Sequence, residues 1–203
     1  MKKMQRDDID KFFDYEIYLP TRTLYMGSAS YDEENGESGT DGAMAERIIK
    51  GLHILDSSAP SNDQPITIIM NNPGGDEYHG MAIYDAIKSC KNHVTIKVIG
   101  HAMSMGSIIL QAADHRVMSP NSRMMIHYGT KSIQDHAKNF YKWTDEGKKF
   151  DSWMEHLFLE KIREKNPHFT LAKVKHMCNF DTFLSATEAI QLGLADKILG
   201  EDE

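Results

Sequence analysis

Three residue types in this chain can be arranged for nucleophilic catalysis: a serine between glycines, a histidine at the end of an apolar strand, and an aspartate among apolar neighbours. The serine is Ser104, in Gly100-His101-Ala102-Met103-Ser104-Met105-Gly106-Ser107. The β-type run Val94 to Ile99 enters this stretch and the apolar run Ile108 to Ala113 leaves it. Strand, glycine-flanked turn and helix would set Ser104 at a helix N-terminus, where unpaired N–H groups favour developing negative charge. A serine so placed becomes a nucleophile when a base reaches its hydroxyl and N–H donors face the oxyanion. The plainer alternative is that Ser104 only caps the helix.

Ten histidines compete for the role of base. His53, His136, His156 and His176 sit in helical or polar settings that suit structural histidines. His127 follows Met124-Met125-Ile126 and precedes Tyr128-Gly129, so it projects from a strand end toward the same sheet edge as Ser104. His101 is the rival, three residues from the serine but on the approach to the turn. The third member of such a set is a carboxylate that fixes the imidazole tautomer. Asp181, in Asn179-Phe180-Asp181-Thr182-Phe183-Leu184, is read as lying in a short link between two helices, with an Asx-turn or N-cap role as its alternative. The N–H of Gly75, in Asn72-Pro73-Gly74-Gly75, and that of Met105 would form the oxyanion hole; an ordinary Pro-Gly turn is the competing reading.

The elements that must position these groups follow from periodicity. Met44, Ile48, Leu52 and Leu55 predict an amphipathic helix over 43–56, and Pro65 to Met70 predicts a buried strand. A second helix over about 78–90, the strand ending at Ile99 and the serine helix give the order β-α-β-α-β-α. That order signals an α/β domain with a largely parallel sheet, whose sites lie beyond the carboxyl ends of its strands. Short strands at Val117-Met118 and Met124-Ile126 precede a long helix over about 135–165, whose stripe from Phe140 to Phe158 is wide enough to cover a core or a subunit interface. Thr170 is expected to cap a short helix, Ser185-Ala186-Thr187-Glu188 is a capping box, Gly193 is a helix stop, and 194–199 reads as a last strand. The acidic, glycine-rich stretch Asp32 to Gly42 reads as a solvated surface loop.

Composition narrows the function. With 203 residues, 40% hydrophobic and 26% charged, the chain suits one domain: a polar, mobile segment over 1–11 and a single domain over 12–203. A formal net charge of −7 argues against a general nucleic-acid or anionic-membrane binder. Two cysteines, Cys90 and Cys178, make no disulfide or metal framework, and neither a secretory h-region nor a membrane-spanning run is found, so a cytoplasmic protein is expected. No H-E-x-x-H or P-loop pattern occurs, and no metal or cofactor is called for.

Four ordered stretches together resemble the Clp peptidase (ClpP) family of serine proteases. They are Asn72 to Gly75, Ala102 to Gly106, Pro120 to His127, and Asp181 to Ala189 running on to Gly193-Leu194-Ala195-Asp196. The resemblance, over roughly Tyr15 to Leu199, implies a ClpP/crotonase-like spiral of β-β-α repeats with a protruding handle helix at about 128–170. It matches Ser104 to the family's nucleophile, His127 to its base, Asp181 to its triad carboxylate, and Gly75 and Met105 to its oxyanion donors. It further implies hydrolysis of unfolded or extended polypeptides in a homo-oligomeric ring, a heptamer or double heptamer, with an AAA+ unfoldase ATPase as a partner. The chain departs from the family in four places, of which the first is an N-terminal segment without a match to the family's axial-loop pattern. Tyr128-Gly129-Thr130-Lys131-Ser132 stands where the family has Gln-Pro and a glycine-rich strand, Phe180 and Thr182 flank Asp181 in place of a charged pair, and the 32–42 loop reads as an insertion. Rival readings are a phage-type prohead protease of the same fold, a catalytically silent structural ring subunit and, last, a crotonase-type acyl-CoA enzyme.

Overall fold

A computed structural model describes residues 6–27, 31–32, 36–37, 39–58 and 64–201. The expectations for residues 1–5 and for residues 33–35 and 38 of the acidic loop therefore lie outside the described residues. In chain order the elements are α1 (Arg6–Tyr15), β1 (Ile17–Tyr18), β2 (Thr23–Gly27), β3 (Tyr31–Asp32), β4 (Gly36–Glu37) and α2 (Gly42–Ser57). There follow β5 (Ile66–Asn72), α3 (Glu77–Ser89), β6 (Val94–Met103), α4 (Met105–Leu110), β7 (His115–Met118) and β8 (Arg123–Ile126). The chain closes with α5 (Ala137–Lys165), α6 (Leu171–Cys178), β9 (Thr182–Ser185), α7 (Ala186–Leu192) and β10 (Lys197–Ile198).

The main sheet runs β1-β2-β5-β6-β7-β10, and β8 branches from β6 to carry β9 on its far edge. Pairing is parallel from β2 through β10 and between β6 and β8; β1–β2 and β8–β9 are antiparallel. The largely parallel sheet follows from helical crossovers between successive strands. β5 buries every second residue, Ile66, Ile68, Met70 and Asn72, as period-2 patterning requires of a strand with one face in the core. The α2 residues Met44, Ile48, Leu52 and Leu55 fill the same core, so the helical spacing read from the sequence marks the buried stripe.

Two expectations need correction. The stretch from Gly100 to Met103 is strand, not turn. β6 pairs with β7 through residues 95–98, bends at Gly100, and pairs with β8 through residues 101–103. Changing partner lets one strand bridge two edges, and local periodicity carries no sign of it. The second correction is that Asp181 leads into a strand. Its link joins α6 to β9, because Thr182–Ser185 zips antiparallel onto Arg123–Ile126.

The long helix divides in function along its length. Its buried residues all lie between Met154 and Ile162, where it packs on the core, while Phe140, Tyr141 and Trp143 are exposed on its first turns. The projecting half is a handle. Ser185 and Glu188 make both hydrogen bonds of a capping box, and Gly193 ends α7 in the left-handed region.

A buried ion pair ties the C-terminal edge strand to the sheet. Arg116, 7% exposed at its side chain, donates to Asp196, to Gln111 Oε1 at 2.7 Å and to the Gly193 carbonyl at 3.0 Å. Burial alone would raise the Asp196 pKa, but the Arg116 guanidinium outweighs it and holds the carboxyl below its ordinary range. A depressed carboxylate pKa stabilises the fold at every pH above the unfolded value and loses that contribution as pH falls through the folded one. Asp196→Asn should therefore destabilise the protein at pH 7 by on the order of 3 kcal/mol, because it leaves a buried guanidinium without its counter-charge. The gap between the urea midpoints of the two proteins should begin to narrow as pH falls below about 4, the ordinary carboxylate range, and close only as the depressed folded-state pKa is passed. A gap that stays constant through that fall would refute this assignment.

Candidate active site

Strand register assembles the site. β6 and β8 run parallel with Met103 beside Met125, and the Ser104 N–H donates to the Met125 carbonyl at 2.9 Å. In the antiparallel β8–β9 ladder Ile126 faces Thr182, so the next residues out, His127 and Asp181, are opposite each other. Three adjacent strand ends thus present Ser104, His127 and Asp181 in a row. His127 Nε2 lies 2.8 Å from Ser104 Oγ, and His127 Nδ1 lies 2.8 Å from Asp181 Oδ1.

Ser104 has φ 51° and ψ −121°, a left-handed conformation unusual for a residue with a side chain. It precedes α4 but makes no side-chain capping bond; its hydroxyl is turned to His127. That removes the capping alternative. Its carbonyl accepts from Ser107 N at 3.0 Å and Ser107 Oγ at 2.6 Å, which holds the turn. His101, the rival base, lies on β6 opposite Arg123, with its backbone N–H donating to Asn71 Oδ1.

The Gly74-Gly75 turn is held, not flexible. Asn72, fully buried, accepts from Gly74 N at 2.7 Å and donates through Nδ2 to Thr40 Oγ1 at 3.0 Å. Thr40 in turn pairs with Gly75 as a parallel bridge: its N–H donates to the Gly74 carbonyl and its carbonyl accepts from Asp76 N. In that pattern the Gly75 N–H points away from Thr40. A side chain at Gly74 would stand 2.5 Å from Ser104 Cβ and 3.1 Å from Met105 N, so only glycine brings this turn against the serine. The Met105 N–H opens α4 and belongs to the unpaired donors of a helix start.

Sequence reasoning missed Thr40 and the Asn72 amide. The loop end that was expected to be solvated packs under the glycine turn, with Thr40 2% exposed. Its composition hides this, although Asp41 directly after it caps α2 by accepting from Met44 N. Asn72 is betrayed only by falling on the buried parity of β5.

Beside the serine a cleft of about 440 Å³ runs from Gly75, Ser104 and His127 to Phe150 and Met154 on α5. The segment after His127 forms its wall and is pinned to α5 at two points. The Tyr128 hydroxyl donates to Glu155 at 2.7 Å, and Lys131 Nζ donates to Asp151 at 2.6 Å. Burial pushes the Tyr128 pKa upward and the Glu155 bond pushes it further. Burial likewise raises the Glu77 carboxyl above its ordinary range against the pull of Lys131. Lys131 is itself raised: burial works against its charge, and Asp151 and Glu77 overcome it. Among the described residues no group of three or more His, Cys, Asp or Glu side chains could hold a metal ion, and no helix is long and apolar enough to cross a membrane.

Comparison with known proteins agrees with this architecture. The Clp protease family model matches residues 36–202. An ATP-dependent Clp protease proteolytic subunit of Deinococcus radiodurans is 32% identical over 199 residues, spanning 92% of this chain and 86% of its own length. The ATP-dependent Clp protease proteolytic subunit 2 of Pseudomonas aeruginosa is 32% identical over 163 residues, spanning 79% of this chain and 77% of its own. On a family match over most of its length and two relatives at this identity, the chain belongs to the Clp protease family.

Proposed function

We propose that this chain is a serine endopeptidase in which Ser104 is the nucleophile, His127 the general base and Asp181 the residue that orients His127. One observation carries the reading: the Ser104 hydroxyl sits 2.8 Å from His127 Nε2 instead of capping its own helix, while Nδ1 of the same ring meets Asp181. With Nδ1–H donated to the carboxylate, Nε2 is the basic nitrogen that takes the serine proton. Ser104 Oγ attacks a peptide carbonyl, and the Gly75 and Met105 N–H groups hold the tetrahedral oxyanion. The protonated His127 gives its proton to the departing amine. Water, deprotonated by the same nitrogen, then attacks the acyl ester and releases Ser104.

The substrate in this reading is an unfolded or extended polypeptide laid beside the Gly74-Gly75 turn as an added strand. The proteolytic subunits among its relatives are described as ATP-dependent, which supports an ATPase partner; this chain's own residues perform only the hydrolysis. A homo-oligomeric ring is supported by the exposed Phe140, Tyr141 and Trp143 on the handle and by the exposed Phe180 and Phe183 near Asp181. A reducing cytoplasmic setting suits the free Cys90 and Cys178, whose thiols burial pushes up to about 11 and about 12, well away from reactivity.

Labelling with a fluorophosphonate probe tests the nucleophile. The parent protein should label, and Ser104→Ala and His127→Ala should not. Labelling that survives Ser104→Ala overturns the site, and a folded, oligomeric protein that never labels is a structural subunit. Gly75→Ala tests the oxyanion donors separately. Its methyl would stand 2.4 Å from the Thr40 carbonyl oxygen and force the turn aside. Peptide hydrolysis should fall about 10²–10³-fold, the usual loss when one oxyanion donor is displaced. A variant with the parent's turnover would remove Gly75 from the mechanism.

A further inference from the structure

The wall of the cleft beside Ser104 contains a charge arrangement that the hydrolytic machinery does not use. Lys131 reaches across from the segment after His127, and its ammonium is received by three oxygens from two helices. They are Asp151 Oδ1 at 2.6 Å and the Gly147 carbonyl at 3.1 Å on α5, and Glu77 Oε1 at 3.2 Å in the first turn of α3. The Phe150 ring lies 5.4 Å from the same nitrogen, within cation–π range. A side chain at position 147 would approach Lys131 Nζ to 3.2 Å, so glycine there leaves the room the ammonium takes. Lys131, Glu77 and Asp151 are each about one-third exposed or less at their side chains, so the charges are partly shielded from water.

We propose that Lys131 is a specificity-determining residue: a built-in cation that fills an acidic slot in the substrate cleft and so reserves the cleft for large uncharged side chains. This rests on the peptidase reading of Ser104. With Lys131 in place, the two carboxylates are paired and the apolar surface offered to a substrate is that of Tyr78, Ile133, Trp143 and Phe150. A substrate lysine or arginine finds its oxygen partners already taken. A substrate carboxylate meets more negative charge than positive, Asp76, Glu77 and Asp151 against Lys131. With Lys131 removed, Glu77, Asp151 and the Gly147 carbonyl become an unfilled cation receptor, shaped for an ammonium and aromatic on one side. Two partly buried carboxylates without a counter-charge are costly, and a cationic substrate side chain would relieve that cost.

The experiment is cleavage of a mixed peptide library by the full chain, read by mass spectrometry so that the residue entering the cleft is observed directly. The parent protein should favour Leu, Met and Phe at one position near the cut bond. Lys131→Ala should raise the ratio of Arg and Lys over Leu there by about tenfold or more, the scale of a charged hydrogen bond gained in a specificity pocket. Lys131→Arg, which refills the slot, should keep the parent's preference. The double variant Lys131→Ala, Glu77→Gln should lose most of the gain. Glu77→Gln alone leaves Lys131 facing one acid and should raise cleavage at acidic side chains, so the proposal stays open to refutation if Lys131→Ala does not fold. An unchanged Arg-to-Leu ratio in a Lys131→Ala protein that still labels with fluorophosphonate overturns this inference and leaves the peptidase reading standing. A parent protein that neither labels nor cleaves overturns both.

Discussion

The pairing of β6 with β8 is the constraint on which the site depends. It ends in one backbone hydrogen bond, from Ser104 N–H to the Met125 carbonyl, and that bond anchors a serine whose φ is positive. Left to itself a serine would leave that conformation for a β or α basin at a gain of about 1–3 kcal/mol. The ladder, the Ser107 bonds to its carbonyl and the glycine turn behind it hold it in place. The same ladder sets the distance from Ser104 to His127, because parallel strands of fixed register put their next residues out within side-chain reach.

A second layer supports the first. Asn72 is polar on a face of β5 that is otherwise aliphatic, and such a group is tolerable in a core only when its hydrogen bonds are made. Thr40 and Gly74 make them, so the cost of burying an amide is offset by a rigid backbone turn next to the serine. The acidic loop contributes its last residues to this layer, where the chain between β4 and α2 passes beneath the turn. A stretch whose composition speaks only of solvent thereby becomes part of the floor of the site.

Much of this was legible in the residues themselves. The helix stripe of α2, the capping box at Ser185, the strand before His127 and the glycines around Ser104 are local signals, each arising from contacts within a few residues of chain. What stayed hidden is non-local. β6 runs on to Met103 because β8, some twenty residues later, supplies a second edge, and β9 exists only because Arg123–Ile126 receives it. A four-residue strand has too few alternations to show a period, so Thr182–Ser185 passes for a helix-to-helix link. The Lys131 cluster is equally silent, since its oxygens come from positions 77, 147 and 151 and only the fold brings them to one nitrogen.

The carboxylate is the member of the constellation that the isolated chain protects least. Asp181 is 59% exposed at its side chain and His127 22%, so water screens the attraction between them far more than in a buried pair. Its hold on the imidazole is therefore geometric more than coulombic. The β8–β9 ladder sets the two residues opposite each other, and Thr182 Oγ1, donating to the Met177 carbonyl at 2.7 Å, ties the start of β9 back to α6. Tyr128, next to His127, is fixed by the Cys178 carbonyl at the same end of α6 and by Glu155 on α5. His127 is thus held by backbone anchors, and in the proposed mechanism the Asp181 carboxylate needs only to select the tautomer. An arrangement of this kind keeps its geometry with an open carboxylate, because the positioning is done by strands and helices whose energies do not depend on that one charge.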